Sequence, residues 1–247
     1  MTPNILQFDS IDSTNLEGMR QAKAGASEGL CVIAREQTRG RGRLDRSWHS
    51  PKDAGLYLSI VLRPDFELAR WPLINLAAAL AVHDALAKTC DLKVDIKWPN
   101  DICVDDRKLC GILAETVETE IGVAAIVGIG INLNDENFPA ELKPYATSLQ
   151  SVTGSGVNRD TLVNELLKAL SERYEMLNSD GGGEHTIREW CANSSYAFGR
   201  KVRVSLGDDT FVGVTRGLEN DGALRVETAA GVTTLVRAGD VTSLRVA

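Results

Sequence analysis

The character of the chain changes near Tyr196, and this change constrains the fold more than any other feature. From Tyr196 onward, five short segments of alternating polar and apolar residues are separated by turn sequences such as Asp208-Asp209 and Asn220-Asp221-Gly222. Alternation predicts β-strands, and five strands in about fifty residues predict a small barrel. Because so short a segment buries little apolar surface, we expect it to pack on the preceding chain. The sequence therefore predicts two domains, residues 1–195 and 196–247.

The first of these regions mixes strand and helix signals. Strong apolar runs at Leu30–Ala34, Leu56–Leu62 and Val123–Leu133 predict strands. The alanine-rich run Leu73–Lys88 predicts a buried helix, and Asn158–Leu177 predicts an amphipathic helix. The fold class is therefore α/β (α+β).

Two parts of the first region carry weaker signals. Residues 134–157 contain no sustained periodicity, so we expect a loop. The glycines Gly181–Gly183 are interpreted as a linker that leads into a short helix around Thr186–Cys191.

Composition excludes several classes of protein. The 247 residues carry 27 Lys and Arg against 34 Asp and Glu, a net charge of -7, which argues against non-specific DNA binding. The N-terminal residues contain no basic n-region and no long apolar h-region, so we expect no secretory signal, and we expect no apolar run long enough to cross a bilayer. Five cysteines without a Cys-x-x-Cys pair favour reduced thiols in a cytoplasmic protein. The three scattered histidines predict no metal cage.

The segment Thr38–Trp48 places four arginines in eight positions, with glycines between three of them. Guanidinium groups so close together repel one another, and each can bind phosphate or carboxylate through two hydrogen bonds. Glycine lets the backbone approach a ligand closely. We therefore expect a loop that orders around a phosphorylated or carboxylate ligand. The alternative is a solvated surface loop.

Three further segments combine polar groups with predicted turns. Asp12–Asn15 stands at a strand-to-helix turn whose N–H groups suit a polar ligand head, although plain helix capping is the favoured explanation when this motif is taken alone. Lys97–Asp101 collects a lysine, an indole, an amide and a carboxylate where a proline ends a strand. Asn100 and Asp101 suit a magnesium ion or a ribose. Lys108 starts an apolar strand, where it either points into a pocket or protects a sheet edge.

Five motifs in the chain stand in the order found in the biotin protein ligases. They are DSTN at Asp12–Asn15, the GRGR loop ending in Trp48, KWPND at Lys97–Asp101, DRKLxGIL at Asp106–Leu113 and GIGIN at Gly128–Asn132. Each motif alone is weak, but five in order are specific. The chain therefore resembles this family over nearly its whole length, and it resembles the monofunctional class, which has no N-terminal DNA-binding domain.

This resemblance implies a fold and an activity. The fold is a mixed-sheet catalytic domain of the biotin/lipoate ligase type followed by a small SH3-like β-barrel. The activity is ATP-dependent and Mg²⁺-dependent formation of biotinyl-5'-AMP with release of pyrophosphate. Biotin then passes to a lysine of a biotin carboxyl carrier protein. The implied enzyme is cytoplasmic, a monomer or a homodimer, and binds neither DNA nor membranes.

The resemblance also assigns roles to residues. Biotin binding falls to Ser13, Thr14, Asn15, Gln37, Arg41, Gly42, Arg43, Lys108 and Gly111. Binding of ATP and the adenylate falls to Gly40, Arg41, Arg43, Arg46, Trp48, Asn100, Lys108 and Asn132. Catalysis falls to Lys108, Arg43 and Asp101, and magnesium binding to Asn100 and Asp101. Arg39 has no counterpart, and Asp45 adds a negative charge inside the basic loop.

Three alternatives remain at this point. A lipoate–protein ligase shares the adenylation chemistry, but its RRxSGGGxV motif is absent from the sequence. A non-catalytic sensor would bind ligand and release no pyrophosphate. A nucleic-acid-binding module would use the arginine loop, and the acidic total argues against it.

Overall fold

The computed structural model describes residues 3–244 and contains two β-sheets. The first sheet is mixed, because β1 and β2 run parallel and every other neighbouring pair is antiparallel. Its spatial order is β1-β2-β3-β7-β6-β5-β4. The strands are β1 (Asn4–Phe8), β2 (Leu30–Ala34), β3 (Gly55–Leu62), β4 (Asp95–Lys97), β5 (Asp101–Val104), β6 (Arg107–Thr119) and β7 (Gly122–Asn132).

Helices cover both faces of this sheet. On one face, α1 packs through Ala22 against Val61 and Ile126. On the other face, α2 and α4 pack against a larger core that contains Leu58 and Ile60. Because both faces of β3 are covered, all eight of its residues are buried. The helices are α1 (Thr14–Lys23), α2 (Pro72–Cys90), α3 (Leu149–Thr153), α4 (Arg159–Asn178) and α5 (Gly182–Ala192).

Helix α2 lies at the centre of the core, and its composition corrects one expectation. Together with the preceding 3-10 turn it forms Leu68–Cys90, 23 residues whose most apolar 18-residue window has a mean hydropathy of 1.2, which is long and apolar enough to cross a membrane. The expectation that no such run exists was wrong. In the fold, 61% of its most apolar window is buried, and the helix packs between the sheet and helices α4 and α5. Its apolar character is that of a core helix.

Two segments between the predicted elements differ from expectation. Residues 134–157 contain the short helix α3, which begins where the Ser148 hydroxyl accepts a hydrogen bond from the Ser151 amide. Gly181–Gly183 is not a linker, because α5 begins at Gly182. A Cβ atom on Gly182 would lie within 3 Å of the last carbonyls of α4, so glycine allows the two helices to meet closely.

The C-terminal segment forms the predicted five short strands. They are β8 (Phe198–Leu206), β9 (Asp209–Leu218), β10 (Leu224–Thr228), β11 (Thr233–Val236) and β12 (Asp240–Ser243), in the order β11-β10-β9-β8-β12. Within residues 3–244 the two edge strands do not pair, so the predicted barrel is not closed.

This second sheet packs on the first region, as expected for so small a core. Val202 and Leu224 belong to the same buried cluster as Leu80 of α2. The Trp98 indole donates a hydrogen bond of 3.0 Å to the carbonyl of Gly222. The turn between β9 and β10 therefore lies close to the turn between β4 and β5, where sequence motifs of the first region are concentrated.

Candidate functional site

A single cleft of about 260 Å³ brings the sequence motifs together. It lies between the start of α1, the loop that joins β2 to β3, the β4–β5 turn, strand β6 and the start of β12. Of the predicted site residues, all but Gly40 and Asn132 line it, namely Ser13, Thr14, Asn15, Gln37, Arg41, Gly42, Arg43, Arg46, Trp48, Asn100, Asp101, Lys108 and Gly111.

The two exceptions support the walls of the cleft. Gly40 lies where a Cβ atom would be only 2.3 Å from the Trp48 carbonyl oxygen, so it allows the loop to fold back on itself. Asn132 is buried, and its amide donates a 3.0 Å hydrogen bond to the Thr147 carbonyl. It fixes the segment that pairs with Lys108. Its predicted role in ATP binding stays a prediction.

A buried hydrogen-bond network holds the turn at the start of α1. The Thr14 amide and hydroxyl both donate to Gln37 Oε1, at 2.8 and 3.1 Å. The Ser59 hydroxyl, fully buried on β3, lies 2.7 Å from the Thr14 hydroxyl and 2.6 Å from Asn15 Oδ1. Gln37 Nε2 donates to Ser50. The Ser13 side chain makes no helix-capping hydrogen bond, which argues against capping as its purpose.

The arginine loop closes through a tight turn. The Gly42 amide donates a 2.7 Å hydrogen bond to the Arg46 carbonyl. The residues between Arg43 and Arg46 are Leu44 and Asp45, and both have positive φ, at 53° and 58°. Left-handed backbone is unfavourable for a branched residue such as Leu44 and tolerable for aspartate. Asp45 therefore suits the turn conformation besides adding negative charge.

Carboxylates elsewhere in the chain neutralise three of the four loop arginines. Arg39 lies 3.3 Å from Asp12, which accounts for the arginine that the resemblance left unassigned. Arg41 pairs with Glu115 at 2.8 Å, and Arg46 pairs with Asp240 of β12. The hydrogen bond that Arg46 donates to Asp240 raises the pKa of the Arg46 guanidinium. The repulsion that the sequence predicts is thus largely compensated within the protein.

Arg43 is the exception among the four. In the described part of the chain it has no carboxylate within ion-pair distance, and its two hydrogen bonds go to neutral oxygens, Asn100 Oδ1 at 3.2 Å and the Gly239 carbonyl at 3.3 Å. Burial lowers the pKa of its guanidinium. Arginine nevertheless stays cationic at neutral pH. The cleft therefore contains a half-buried cation whose charge is not neutralised by direct contact.

Lys108 and Trp48 form the opposite wall. The Lys108 ammonium lies 2.6 Å from Asp101 Oδ1 and 5.2 Å from the centre of the Trp48 ring system. The indole packs where a Cβ atom on Gly130 would be 2.5 Å from Trp48 Nε1. That buried nitrogen has no hydrogen-bond partner among residues 3–244. The glycine thus provides room for the aromatic ring beside the lysine.

Asn100 and Asp101 do not form a metal cage. Residues 3–244 contain no group of three or more His, Cys, Asp or Glu side chains that would hold a metal ion. Asn100 accepts from Arg43 and donates to the Ile112 carbonyl at 2.7 Å, and Asp101 pairs with Lys108. One carboxylate and one amide oxygen fit a magnesium ion that is held chiefly by nucleotide phosphates.

Sequence reasoning missed three residues at the site. Ser59 lies in an apolar strand and contacts the α1 turn, and Asp240 reaches Arg46 across 194 positions of sequence. Glu115 accepts a hydrogen bond from Asn15 and forms an ion pair with Arg41. Glu115 is followed by Thr116 and by a second glutamate, Glu118, on the same strand, so its sequence context gives only a weak signal. The other two depend on tertiary contacts that leave no local pattern.

The chain matches two family descriptions. Residues 7–132 match the biotin/lipoate A/B protein ligase family, and residues 197–242 match the biotin protein ligase C terminal domain. The first match covers the α1 turn, the arginine loop, the β4–β5 turn and strand β6.

Several curated and solved proteins are similar. The biotin--[acetyl-CoA-carboxylase] ligase of Mycobacterium tuberculosis is 34% identical over 94% of this chain and 86% of its own length. The bifunctional ligase/repressor BirA of Bacillus subtilis is 35% identical over 94% of this chain and 72% of its own length. The structure of the Aquifex aeolicus biotin protein ligase in complex with biotin and ATP is 31% identical, with a TM-score of 0.84 over 98% of this chain and 99% of that one. The chain belongs to the biotin/lipoate A/B protein ligase family.

Proposed function

We propose that the protein is an ATP-dependent biotin–protein ligase of the biotin–[acetyl-CoA-carboxylase] ligase type. The observation that carries the proposal is Arg43, a half-buried cation without a carboxylate partner among residues 3–244, in the same cleft as Lys108. Two cations in one cleft suit a reaction that joins two anions. The similarity to an enzyme solved with biotin and ATP supports the same substrates here.

The first step joins two groups that repel each other. A carboxylate oxygen of biotin attacks the α-phosphorus of ATP, the bond to the bridging oxygen breaks, and pyrophosphate leaves. At about 4 Å, two like charges cost on the order of 4 kcal/mol at an effective dielectric near 20. Arg43 and Lys108 lower this cost and stabilise the charge that develops on the phosphoryl oxygens. Lys108 exchanges Asp101 for the ligand as it does so.

The two ends of the cleft suit the two substrates. The turn at Ser13 and Thr14, with Gln37, presents polar groups in fixed positions for the ureido ring of biotin. At the other end, Trp48 provides an aromatic face for the adenine. We assign Arg41, Gly42 and Gly111 to the biotin side and Gly40, Arg46, Asn100 and Asn132 to the nucleotide side.

A magnesium ion would be bound together with the nucleotide. Asn100 and Asp101 would hold the ion together with the phosphate oxygens, where it supplies charge neutralisation.

The second step transfers biotin to a protein. The deprotonated amine of a lysine on a biotin carboxyl carrier protein attacks the carbonyl carbon of biotinyl-5'-AMP. An amide bond forms and AMP leaves. The carboxylate of Asp101, which lies beside Lys108 in the cleft, orients the acceptor lysine. The arginine loop covers the adenylate and limits its hydrolysis.

The biological setting is part of the proposal. The five cysteines are all free thiols, which is consistent with a reducing cytoplasm. The division into a catalytic domain of residues 1–195 and a C-terminal SH3-like domain of residues 196–247 is supported by the separate sheets. We expect a monomer or a homodimer, without binding to DNA.

Pyrophosphate release tests the proposal. The purified protein is mixed with Mg²⁺-ATP and biotin in the absence of acceptor, with lipoate in parallel. A burst near one equivalent with biotin alone is expected. A burst with lipoate alone would reassign the substrate, and biotin binding without pyrophosphate from either acid would mean a sensor.

A further inference from the structure

Glu115 connects two parts of the cleft that are far apart in sequence. It lies on β6, opposite Ile126 of β7, and its side chain is 19% exposed. One carboxylate oxygen accepts a 2.9 Å hydrogen bond from Asn15 Nδ2, and the other lies 2.8 Å from Arg41 Nη2. A single carboxylate thus holds both the turn at the start of α1 and an arginine of the loop.

The Asn15 amide is fully occupied by protein partners. Its two N–H groups donate to the Leu113 carbonyl and to Glu115, and its oxygen lies 2.6 Å from the Ser59 hydroxyl. A Cβ atom on Gly128 would lie 2.1 Å from that oxygen, so no other group fits against it. Asn15 therefore has no N–H group left for a ligand. Its hydrogen bond to Glu115 links the position of the α1 turn to that of the Glu115 carboxylate.

We infer that Glu115 is a positioning residue that couples the α1 turn to the arginine loop. Through Asn15 it fixes the turn, and through Arg41 it anchors the loop, so each is held in place by the other. The inference rests on the proposed function, in which the turn binds biotin and the loop covers the adenylate. A carboxylate suits this role because one oxygen accepts from the Asn15 amide while the other faces the Arg41 guanidinium. Glutamine has one acceptor oxygen, and its amide N–H groups would face a donor.

Glu115→Gln therefore tests the coupling, with Glu118→Gln as its matched control. Glu118 lies on the same strand and is exposed to solvent. The first readout needs no ligand and follows trypsin cleavage after Arg41 by mass spectrometry of the peptides. Loss of one charge-assisted anchor is expected to speed this cleavage by about tenfold in Glu115→Gln and to leave Glu118→Gln unchanged.

The second readout separates positioning from general destabilisation. In steady-state pyrophosphate release, Glu115→Gln should raise KM for biotin by about tenfold and change kcat by less than about threefold, because neither Asn15 nor Glu115 touches the reacting atoms. A variant that is merely less stable would show a lower melting temperature without this split between KM and kcat.

The outcomes separate the coupling from the function. Equal cleavage after Arg41 in the wild type and Glu115→Gln would overturn the coupling, whatever the enzyme does. An equal KM in both proteins would also overturn it. Faster cleavage in Glu115→Gln combined with no pyrophosphate from the wild type would retain the anchor and reject the proposed activity.

Discussion

Replacement of Arg43 by methionine should slow adenylate formation strongly and leave the fold almost unchanged. Methionine preserves much of the apolar bulk and removes the charge. In the free protein the guanidinium makes two hydrogen bonds, of 3.2 and 3.3 Å, to neutral oxygens. Both bonds are long, so each contributes about 1.5 kcal/mol, the low end of the range for a charged group, and the desolvation of the cation opposes them. We therefore expect the free energy of unfolding to change by less than about 1 kcal/mol.

The effect on the reaction is larger because the partner is then charged. A hydrogen bond to a charged group contributes about 1.5–3 kcal/mol, so loss of the contacts to the phosphoryl oxygens should cost about 3 kcal/mol in the transition state. This corresponds to a rate about a hundredfold lower. The variant should also release biotinyl-5'-AMP faster than the wild type, because the loop loses its unpaired cation.

Single-turnover pyrophosphate release and retention of labelled adenylate measure these effects, and urea denaturation measures stability. Arg39→Met is the matched control, because Arg39 is 75% exposed, pairs with Asp12 and lies outside the cleft. It should stay within about threefold of the wild-type rate. Adenylation and release by Arg43→Met at wild-type rates would refute the role of Arg43. A decrease of about 3 kcal/mol in the free energy of unfolding, as large as the expected loss of transition-state stabilisation, would refute the prediction that the fold is almost unchanged.

Two further predictions concern a glycine and a carboxylate. Gly130→Ala places a Cβ atom 2.5 Å from Trp48 Nε1, so the indole must move. The KM for ATP should therefore rise about tenfold. Gly156→Ala is the control, because Gly156 has open space around it, and this variant should behave as wild type. Arg20 lowers the pKa of Asp12 to about 2, so the pair stabilises the fold above pH 4 and loses this contribution as the pH falls towards 2. Because Arg20 is half-exposed, Asp12→Asn should lower the free energy of unfolding by only about 1 kcal/mol at neutral pH and by close to nothing near pH 2. Urea denaturation at the two pH values measures this difference. An equal loss at both pH values would contradict the stabilising role of the Asp12–Arg20 pair.

Much of the fold could be predicted where local chemistry decides it. Asn158 caps α4 by accepting a hydrogen bond from the Thr161 amide, and the apolar run of β3 forms a strand buried on both faces. Gly182 was misinterpreted as part of a linker because its purpose, close contact with the end of α4, is a tertiary one. The open C-terminal sheet likewise depends on whether β11 and β12 meet, which alternation does not specify.

The candidate site likewise contains residues that local sequence patterns predict and contacts that depend on the tertiary structure. The motifs named most of the residues that line the cleft, because each motif places polar groups at a turn or strand end. The ion pairs that neutralise the loop were not predicted. They join Arg41 to Glu115 and Arg46 to Asp240, pairs separated widely in sequence. The distinction between Arg43 and the other three loop arginines therefore required the structure.

Biotinylation of an acceptor tests the central claim most directly. The protein, Mg²⁺-ATP and biotin are incubated with a biotin carboxyl carrier domain, and the intact mass of that domain is measured, with lipoate in a parallel reaction. The proposal predicts one biotinyl group on one lysine, dependent on ATP, and no change with lipoate. An unmodified carrier domain alongside a normal pyrophosphate burst would contradict the transfer step, and an unmodified domain without a burst would contradict the ligase assignment itself.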